Sequence, residues 1–206
     1  MRKIYVVGNS IEYTNWMQGE LVDTMKDADL IVFTGGEDVN PDYYNSKLGK
    51  HTYINDNRDK YEISEFLKAL SLGKKMCGIC RGSQFLCVMS GGSLVQHQSH
   101  PSNIHKMFTY TNEIIDVSSS HHQAQYPFDL PKENYKILGY TKNLCNYHLN
   151  GNNTELNPEF EVEDCIYYKI NALGIQSHPE WLYDSNYQIT INYYQELLNK
   201  FMKDEL

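Results

Sequence analysis

Cys80, His178 and Glu180 are the residues whose types and spacing best fit a chemical step. Cys80 lies in the run Gly-Ile-Cys-Arg-Gly-Ser-Gln at 78–84, so a glycine stands two residues away on each side of the thiol. Much later in the chain, His178 and Glu180 flank Pro179. A histidine can act as a base, and a carboxylate can orient its ring. The pattern therefore indicates a thiol nucleophile that attacks an acyl carbon.

The residues around Cys80 predict a tight turn between a strand and a helix. Lys75–Ile79 is an apolar stretch of strand length, and 83–90 has the composition of a helix. Because Gly78 and Gly82 carry no side chains, the turn between the two elements can be strained and can direct the sulfur into a cleft. The amides and the positive dipole end of the helix favour the thiolate there.

An acyl transfer at Cys80 also needs hydrogen-bond donors for the oxyanion of the tetrahedral intermediate. The amide of Arg81 directly follows the nucleophile. Gly36 ends a preceding apolar run, where glycine lets the backbone approach a substrate. We therefore expect the oxyanion hole at Gly36 and Arg81.

The other apolar segments predict an α/β fold that positions these residues. Continuous apolar runs at 4–7 and 30–33 are typical of strands covered on both faces. Helical spacing is found at 15–26 and 59–72, and a cap at Asp184 or Ser185 predicts a final helix. Later segments are interpreted as strands at 112–117, 137–140, 165–170 and 172–176, and as a polar surface loop at 143–163. Early strand–helix alternation followed by strand-rich sequence predicts an α/β sandwich with antiparallel additions.

Composition limits the class of protein. The 206 residues suffice for one domain, 1–206, without internal repeats, and no apolar run reaches the roughly 18–20 residues that span a bilayer. The N-terminal residues lack the features of a signal peptide, and five cysteines is an odd number. We therefore expect a cytoplasmic location, and interpret the C-terminal Lys-Asp-Glu-Leu as a chance match to a retention signal. A net charge of −8 without a basic run argues against nucleic acid and favours a small-molecule substrate.

Together the motifs resemble the class I (triad) glutamine amidotransferase superfamily. The branch they most resemble is the γ-glutamyl-γ-aminobutyrate hydrolase branch, peptidase C26. Its Gly-Gly-x-Asp-Val-x-Pro loop is matched at 35–41 with Tyr44, and its Arg-Asp-x-x-Glu helix start at Arg58, Asp59 and Glu62. Its Ser-x-His-His-Gln stretch is matched at Ser120-His121-His122-Gln123. The resemblance extends from about residue 30 to 182.

This resemblance implies a flavodoxin-like three-layer sandwich with a mostly parallel central sheet. The short interval between the first two strands implies a sheet trimmed near the N-terminus. In the family, the positions of Cys80, His178 and Glu180 are nucleophile, base and orienting group. The family also places one group of residues beside the substrate: Gln84, Ser120, His121, His122 and Gln123. Ser177 stands where relatives often have tryptophan, so we expect a more open pocket wall.

The resemblance leaves three hypotheses about function. The first is a hydrolase that cleaves a small γ-glutamyl amide through a γ-glutamyl thioester. The second is an amidotransferase subunit that delivers ammonia to a separate synthetase partner, and the third is a non-catalytic binding module. No metal or other cofactor is expected, no membrane association is expected, and a homodimer is compatible with the sequence.

Several other patterns have simpler interpretations. The Cys77-x-x-Cys80 spacing fits a redox pair, but Cys77 falls in the apolar strand, which disfavours it. Surface positions are preferred over a zinc site for His97, His100 and His105, because no cysteines accompany them at zinc-finger spacing. His121 and His122 are either structural or substrate-binding. Small buried thiols are expected at Cys87, Cys145 and Cys165, and Asp38, Asp59 and Glu62 are expected to shape the loop over the site.

Overall fold

The computed structural model describes residues 1–8, 10–98, 103–142, 147–149, 152–153, 160–183 and 186–206. Within them, five parallel strands form one half of a mixed sheet, in the order β13-β4-β3-β1-β2. Their bounds are Arg2–Val7 (β1), Gly19–Leu21 (β2), Leu30–Phe33 (β3), Lys75–Ile79 (β4) and Ala172–Ile175 (β13). The strands β3 and β13 are continuously buried, as their unbroken apolar sequences predict, and β4 is buried from Met76 onward.

Antiparallel strands form the other half of the sheet. They are Ser93–Gln98 (β5), Asn103–Thr109 (β6), Ile114–Ser119 (β7), Ala124–Tyr126 (β8), Tyr135–Thr141 (β9), Tyr147–Leu149 (β10), Asn152–Asn153 (β11) and Glu161–Tyr167 (β12). The junction between the halves is β12, which pairs antiparallel with β13, β8 and β9. The antiparallel additions are more extensive than the term "mostly parallel" suggests.

Helices cover both faces of the parallel half. They span Asp56–Ser71 (α1), Arg81–Met89 (α2), Pro179–Leu182 (α3) and Gln188–Met202 (α4). Alternate residues of β3 point to opposite faces: Leu30 and Val32 share a core with α4, whereas Ile31 and Phe33 share a second core with α1 and α2. The fold is thus a three-layer α/β sandwich, as predicted. No helix in the described part of the chain is long and apolar enough to span a bilayer.

The predicted helix at 15–26 is wrong. A single 3-10 turn at Ile11–Thr14 and the three-residue edge strand β2 occupy this region instead. Trp16 and Met25 of the apolar stripe are buried, but Leu21 is exposed, and the buried residues reach the core from irregular backbone. The trimmed N-terminal edge therefore consists of one short strand rather than a helix and a full strand.

The predicted loop at 143–163 is also partly wrong, since β10, β11 and the start of β12 lie within it. Residues 143–146, 150–151 and 154–159, including Cys145, lie outside the described residues, as do His100, Asp184 and Ser185. The described part of the final helix, α4, begins at Gln188. Three strands that the periodicity does not indicate are β5, β6 and β8.

Candidate active site

Cys80 occupies the sharp turn between β4 and α2 that its flanking glycines predict. Its backbone has φ 52° and ψ −111°, a conformation that costs a non-glycine residue about 1–3 kcal/mol. A Cβ added to Gly78 would lie 2.2 Å from the carbonyl oxygen of Gly82, and one added to Gly82 would lie 2.2 Å from that of Phe33. The Cys80 amide donates to the carbonyl of Ile175 at 2.8 Å. The turn therefore needs both glycines, and β13 holds it in place.

His178 lies at the start of α3, and its ring lies between a carboxylate and the thiol. Nδ1 is 2.6 Å from Oε1 of Glu180, and His178 also hydrogen-bonds the Cys80 side chain. The His178 amide donates to Oγ of Ser118 at 2.8 Å, and that hydroxyl donates to the His178 carbonyl at 3.0 Å. The three predicted catalytic residues thus come together, with backbone contacts that hold the histidine.

The electrostatic surroundings favour a protonated His178. Burial alone lowers the pKa of this imidazole, but the hydrogen bonds and charges of Cys80 and Glu180 outweigh burial and raise it to about 9. Because a raised histidine pKa favours the imidazolium, His178 carries a proton at neutral pH that it can donate to a leaving group.

Trp181 is a site residue that the sequence analysis missed. Its ring stacks on the His178 imidazole with centroids 3.8 Å apart and planes 1° apart, although more than half of the side chain is exposed. The two residues are three apart on the turn of α3, a spacing at which helical side chains meet. That spacing is the signal available in the sequence. On the other side, the ring of Tyr13 lies 6.0 Å from that of His178.

Gly36 and Arg81, the predicted oxyanion donors, both line the pocket that contains Cys80. Gly36 has φ 140°, and a Cβ there would lie 1.8 Å from Nη1 of Arg58. Nη2 of Arg58 donates to the Gly35 carbonyl at 2.7 Å, while its Nε donates to Oε1 of Glu62 at 2.8 Å. Glycine is therefore required at 36, because Arg58 is held against the loop.

The side chain of Arg81 is buried beneath the turn and forms ion pairs with Asp59 and Glu62 of α1. Glu62 thus contacts both Arg58, which holds the Gly35–Gly36 backbone, and Arg81, which follows the nucleophile. Asp59 also accepts from the Asn40 amide at 3.1 Å. This geometry agrees with the expectation that Asp59 and Glu62 shape the loop.

The substrate-side candidates form one wall of the pocket, whose volume is about 350 Å³. Gln84, Ser120, His121, His122 and Gln123 all line it, Ser120 being exposed and Gln123 buried. Nε2 of Gln84 donates to the Gln123 carbonyl at 2.9 Å, so its amide is already oriented. Oε1 of Gln123 is buried and accepts no hydrogen bond from the protein.

The rim of the pocket is acidic and aromatic. Glu37, Asp38, Tyr53 and Trp181 belong to its lining. Hydrogen bonds from its own backbone amide and from Arg58 lower the pKa of Glu37 to about 2. Asp38 accepts from the Tyr53 amide at 2.8 Å and also lies 3.2 Å from Nε2 of His122. Asp38 therefore both shapes the loop and faces the pocket.

Other predicted features fall in different places. Ser177 is not among the residues that line the pocket, and its hydroxyl lies 2.6 Å from that of Tyr194 in the core. Cys77, Cys87 and Cys165 are free and buried, and burial raises the pKa of each thiol. His105 is largely buried rather than at the surface and lies 2.7 Å from Oε1 of Glu163.

Comparison with known proteins identifies relatives of this chain. A glutamine amidotransferase-like protein of Lactococcus lactis subsp. lactis is 29% identical over 166 residues, covering 78% of this chain and 69% of the relative. A second such protein, from Rickettsia prowazekii, is 28% identical over 212 residues, covering 81% and 75%.

Solved structures share the fold. A glutamine amidotransferase from Thermotoga maritima superposes with a TM-score of 0.55 at 17% identity, over 100% of this chain and 91% of its own. PurLQS from the same organism gives 0.56 at 18% identity, over 97% and 99%.

The fold and the relatives define a member of the class I glutamine amidotransferase superfamily. Within it, the profile of the Peptidase C26 family matches residues 13–180, and the chain belongs to that family. Membership supports an amidase or amidotransferase activity.

Proposed function

We propose that this protein hydrolyses the γ-glutamyl amide bond of a small γ-glutamyl-amine conjugate. The thiolate of Cys80 adds to the γ-carbonyl carbon, and the amides of Gly36 and Arg81 stabilise the resulting oxyanion. The C–N bond then breaks as His178 donates its proton to the leaving amine, which yields a γ-glutamyl thioester. Water, deprotonated by His178, attacks the thioester, the C–S bond breaks, and glutamate leaves.

The single observation that carries this proposal is the arrangement of His178 between Cys80 and Glu180. The 2.6 Å contact from Nδ1 to Glu180 leaves Nε2 for the thiol, so one ring can exchange a proton with sulfur, amine and water in turn. Glu180 favours the tautomer and the charge that these steps require. The intact triad also disfavours the third hypothesis, a binding module without catalysis.

The pocket supports a γ-glutamyl group in the acyl position. The carbonyl oxygen of Gln123 and the amide of Gln84 are hydrogen-bonded to each other, whereas the Gln123 side-chain oxygen is unsatisfied. A buried acceptor without a partner costs about 1–3 kcal/mol, so a ligand donor such as an α-ammonium group would be stabilised there. The acidic, aromatic rim formed by Glu37, Asp38, Tyr53 and Trp181 fits a leaving amine that carries a further positive charge.

A second candidate is a glutaminase subunit that supplies ammonia to a synthetase. The names of the Lactococcus and Rickettsia relatives favour it, because both are called glutamine amidotransferase-like. In that case the leaving group is ammonia, and hydrolysis of glutamine should depend on a second protein. The Asp-Val-x-Pro sequence of the loop at 38–41 favours the hydrolase.

A panel of γ-glutamyl amides tests the proposal directly. The purified protein is assayed for glutamate release from γ-glutamylputrescine, γ-glutamyl-γ-aminobutyrate, γ-glutamylethanolamide and glutamine. We expect turnover without any partner and a preference for an amine with a second positive charge. Activity on glutamine alone, rising only when a second protein is added, would establish the glutaminase hypothesis instead.

Two variants separate the role of the thiol from loss of fold. Cys80→Ala should abolish turnover while the thermal unfolding transition remains, and Cys87→Ala should retain turnover because that buried thiol lies away from the pocket. Substantial hydrolysis by Cys80→Ala would refute the mechanism. Mass spectrometry of acid-quenched wild-type protein should show the added mass of the γ-glutamyl thioester.

A further inference from the structure

A second group of ionisable side chains lies behind the active-site wall. His121, Glu161 and Glu163 each offer one ligand atom, and these atoms all lie within 4.8 Å of one another. The three residues are 6%, 1% and 0% exposed. Nε2 of His121 is 2.7 Å from Oε1 of Glu161, which also accepts from the side-chain amide of Gln98 at 2.6 Å. The group is therefore compact, buried and rich in metal-binding atoms.

The strand β12 is responsible for the unusual pairing of the two carboxylates. Glu161 and Glu163 are two residues apart, so both project from the same face of the strand. Asp164 projects from the opposite face, where it accepts from the hydroxyl of Tyr193 at 3.2 Å. The two glutamates thus share one interior space, and their neighbour in sequence does not.

One oxygen in this space has no protein partner. Oε1 of Glu163 is 2.7 Å from Nε2 of His105, whereas Oε2 is buried and accepts no hydrogen bond. A buried carboxylate is costly unless it is paired and fully hydrogen-bonded. A bound cation would satisfy the free oxygen and neutralise the adjacent carboxylates.

We propose that His121, Glu161 and Glu163 bind one divalent transition-metal ion, with Zn²⁺ as the best probe. A nitrogen and two carboxylate oxygens suit Zn²⁺ and its first-row neighbours, whose bonds to these atoms are roughly 2.0–2.2 Å. Ligand atoms already within 4.8 Å reach that geometry through small rotations of side chains. Gln98 and His105 hold the carboxylates from outside, as partners of metal ligands commonly do.

His121 connects this site to the active-site pocket, because it lines the pocket and contacts Glu161 at once. A bound ion would fix the His121 ring and with it the wall formed by 120–123. The role is structural and independent of the proposed hydrolysis. The sequence analysis expects no metal because no cysteine pairs accompany the histidines. Nothing in the sequence pattern indicates that His121 lies close to glutamates forty residues away.

The test is zinc binding to protein first treated with EDTA and then dialysed. The titrations use the Cys80→Ala background, which removes the thiolate as a competing zinc ligand. Isothermal titration with Zn²⁺ and metal analysis after desalting measure affinity and stoichiometry. We expect one equivalent per chain, a higher thermal transition with Zn²⁺, and at least about 100-fold weaker binding in Glu163→Gln, which keeps the shape of the side chain.

Matched controls locate the ion. Asp164→Asn changes the neighbouring buried carboxylate on the other face of β12 and should leave zinc affinity unchanged. His122→Asn alters the half-exposed group at the pocket rim, where His97 Nδ1 lies 3.2 Å from His122 Nδ1, and should also leave it unchanged. Binding lost in His122→Asn but retained in Glu163→Gln would overturn the proposal, as would no binding by the parent protein at 100-fold excess Zn²⁺. Glu163→Gln must show a cooperative unfolding transition; if it does not, His121→Asn replaces it.

Discussion

The His178–Glu180 pair and the His121–Glu161 pair have nearly equal geometry. His178 and Glu180 are 2.6 Å apart, His121 and Glu161 are 2.7 Å apart, and all four residues are buried. The side chain that lies beside each pair differs. His178 hydrogen-bonds the Cys80 thiol, whereas beside His121 and Glu161 lies a second carboxylate, Glu163. One histidine–glutamate pair thus lies beside a thiol, which can act as a nucleophile, and the other lies beside a second carboxylate.

The difference shows that an orienting carboxylate does not by itself define a catalytic base. One carboxylate, one imidazole and one thiol can exchange a single proton, which suits acyl transfer. Two carboxylates around one imidazole offer no thiol, and they attract a cation instead. The supporting backbone differs as well: His178 directly precedes the first residue of α3, whereas His121 follows the end of β7.

Replacement of the two histidines should produce the largest contrast. His178→Asn removes the proton carrier, and we expect kcat/KM to fall by about 10⁴-fold or more. His121→Asn removes at most a contact to substrate, worth about 1–3 kcal/mol, so kcat/KM should fall by about 10–100-fold, mainly through KM. Steady-state hydrolysis of the best γ-glutamyl amide measures both. Equal losses in kcat would show that His121 takes part in the chemistry.

Neutralising the two glutamates should give a smaller contrast. In Glu180→Gln the imidazolium loses its stabilising charge and its tautomer preference, and kcat should fall by about 10²–10⁴-fold. Glu161→Gln should change kcat far less but should weaken binding of Zn²⁺. Parallel kinetics and zinc titrations of both variants are the measurement. A reversal, with zinc binding lost in Glu180→Gln, would contradict the assignment of the two pairs.

The pH dependence distinguishes His178 through its raised pKa. Because that pKa is about 9 in the folded protein against an ordinary value of 6.5, protonated His178 stabilises the fold fully below pH 6.5, and this contribution is lost as the pH rises through about 9. The alkaline limb of kcat/KM should therefore lie near pH 9. Cys80→Ala removes one cause of the raised pKa, so its loss of stability should begin at lower pH. Thermal unfolding from pH 6 to 10 compares the two proteins, and coincident curves would contradict the prediction.

Trp181→Leu should have the smallest effect. The stacked indole stabilises an adjacent cation by about 0.5–2 kcal/mol, so its loss should lower the alkaline limb by roughly 0.4–1.5 pH units and reduce kcat/KM only a few-fold at pH 7. Tyr183→Leu, which alters another partly exposed aromatic residue nearby, is the control and should leave the limb unchanged. An unchanged limb in Trp181→Leu would mean that the ring does not act on the charge of His178.

The turn at Cys80 can be predicted because its determinants are local. The sequence predicts Lys75–Ile79 as a strand with its observed bounds, and Gly78 and Gly82 are required by contacts within a few residues and with β3. The predicted helix after it agrees with α2 to within two residues. Here chain order, apolar content and backbone sterics all give the same answer.

Other regions could not be predicted, since tertiary contacts decide them. Glu161 and Glu163 give the start of β12 the composition of a surface loop, although the strand is fully buried. Charged residues in a core conceal the apolar signal on which strand prediction depends. At 15–26 Trp16 and Met25 are buried as predicted, but irregular backbone rather than a helix brings them there, and Leu21 stays exposed. The stack of Trp181 on His178 likewise depends on the single turn of α3.

The first two turns of α1 have a mechanical consequence for the site. Arg58 and Glu62 hold the backbone at Gly35–Gly36, and Asp59 and Glu62 hold Arg81. The amides of Gly36 and Arg81 come from distant parts of the chain. Both are therefore held by the same two turns of one helix. A thermal displacement of α1 carries both amides in the same direction, so their spacing varies less than the position of either loop. The distance between the two amides is thus fixed by α1, a helix that does not itself contact the reacting atoms.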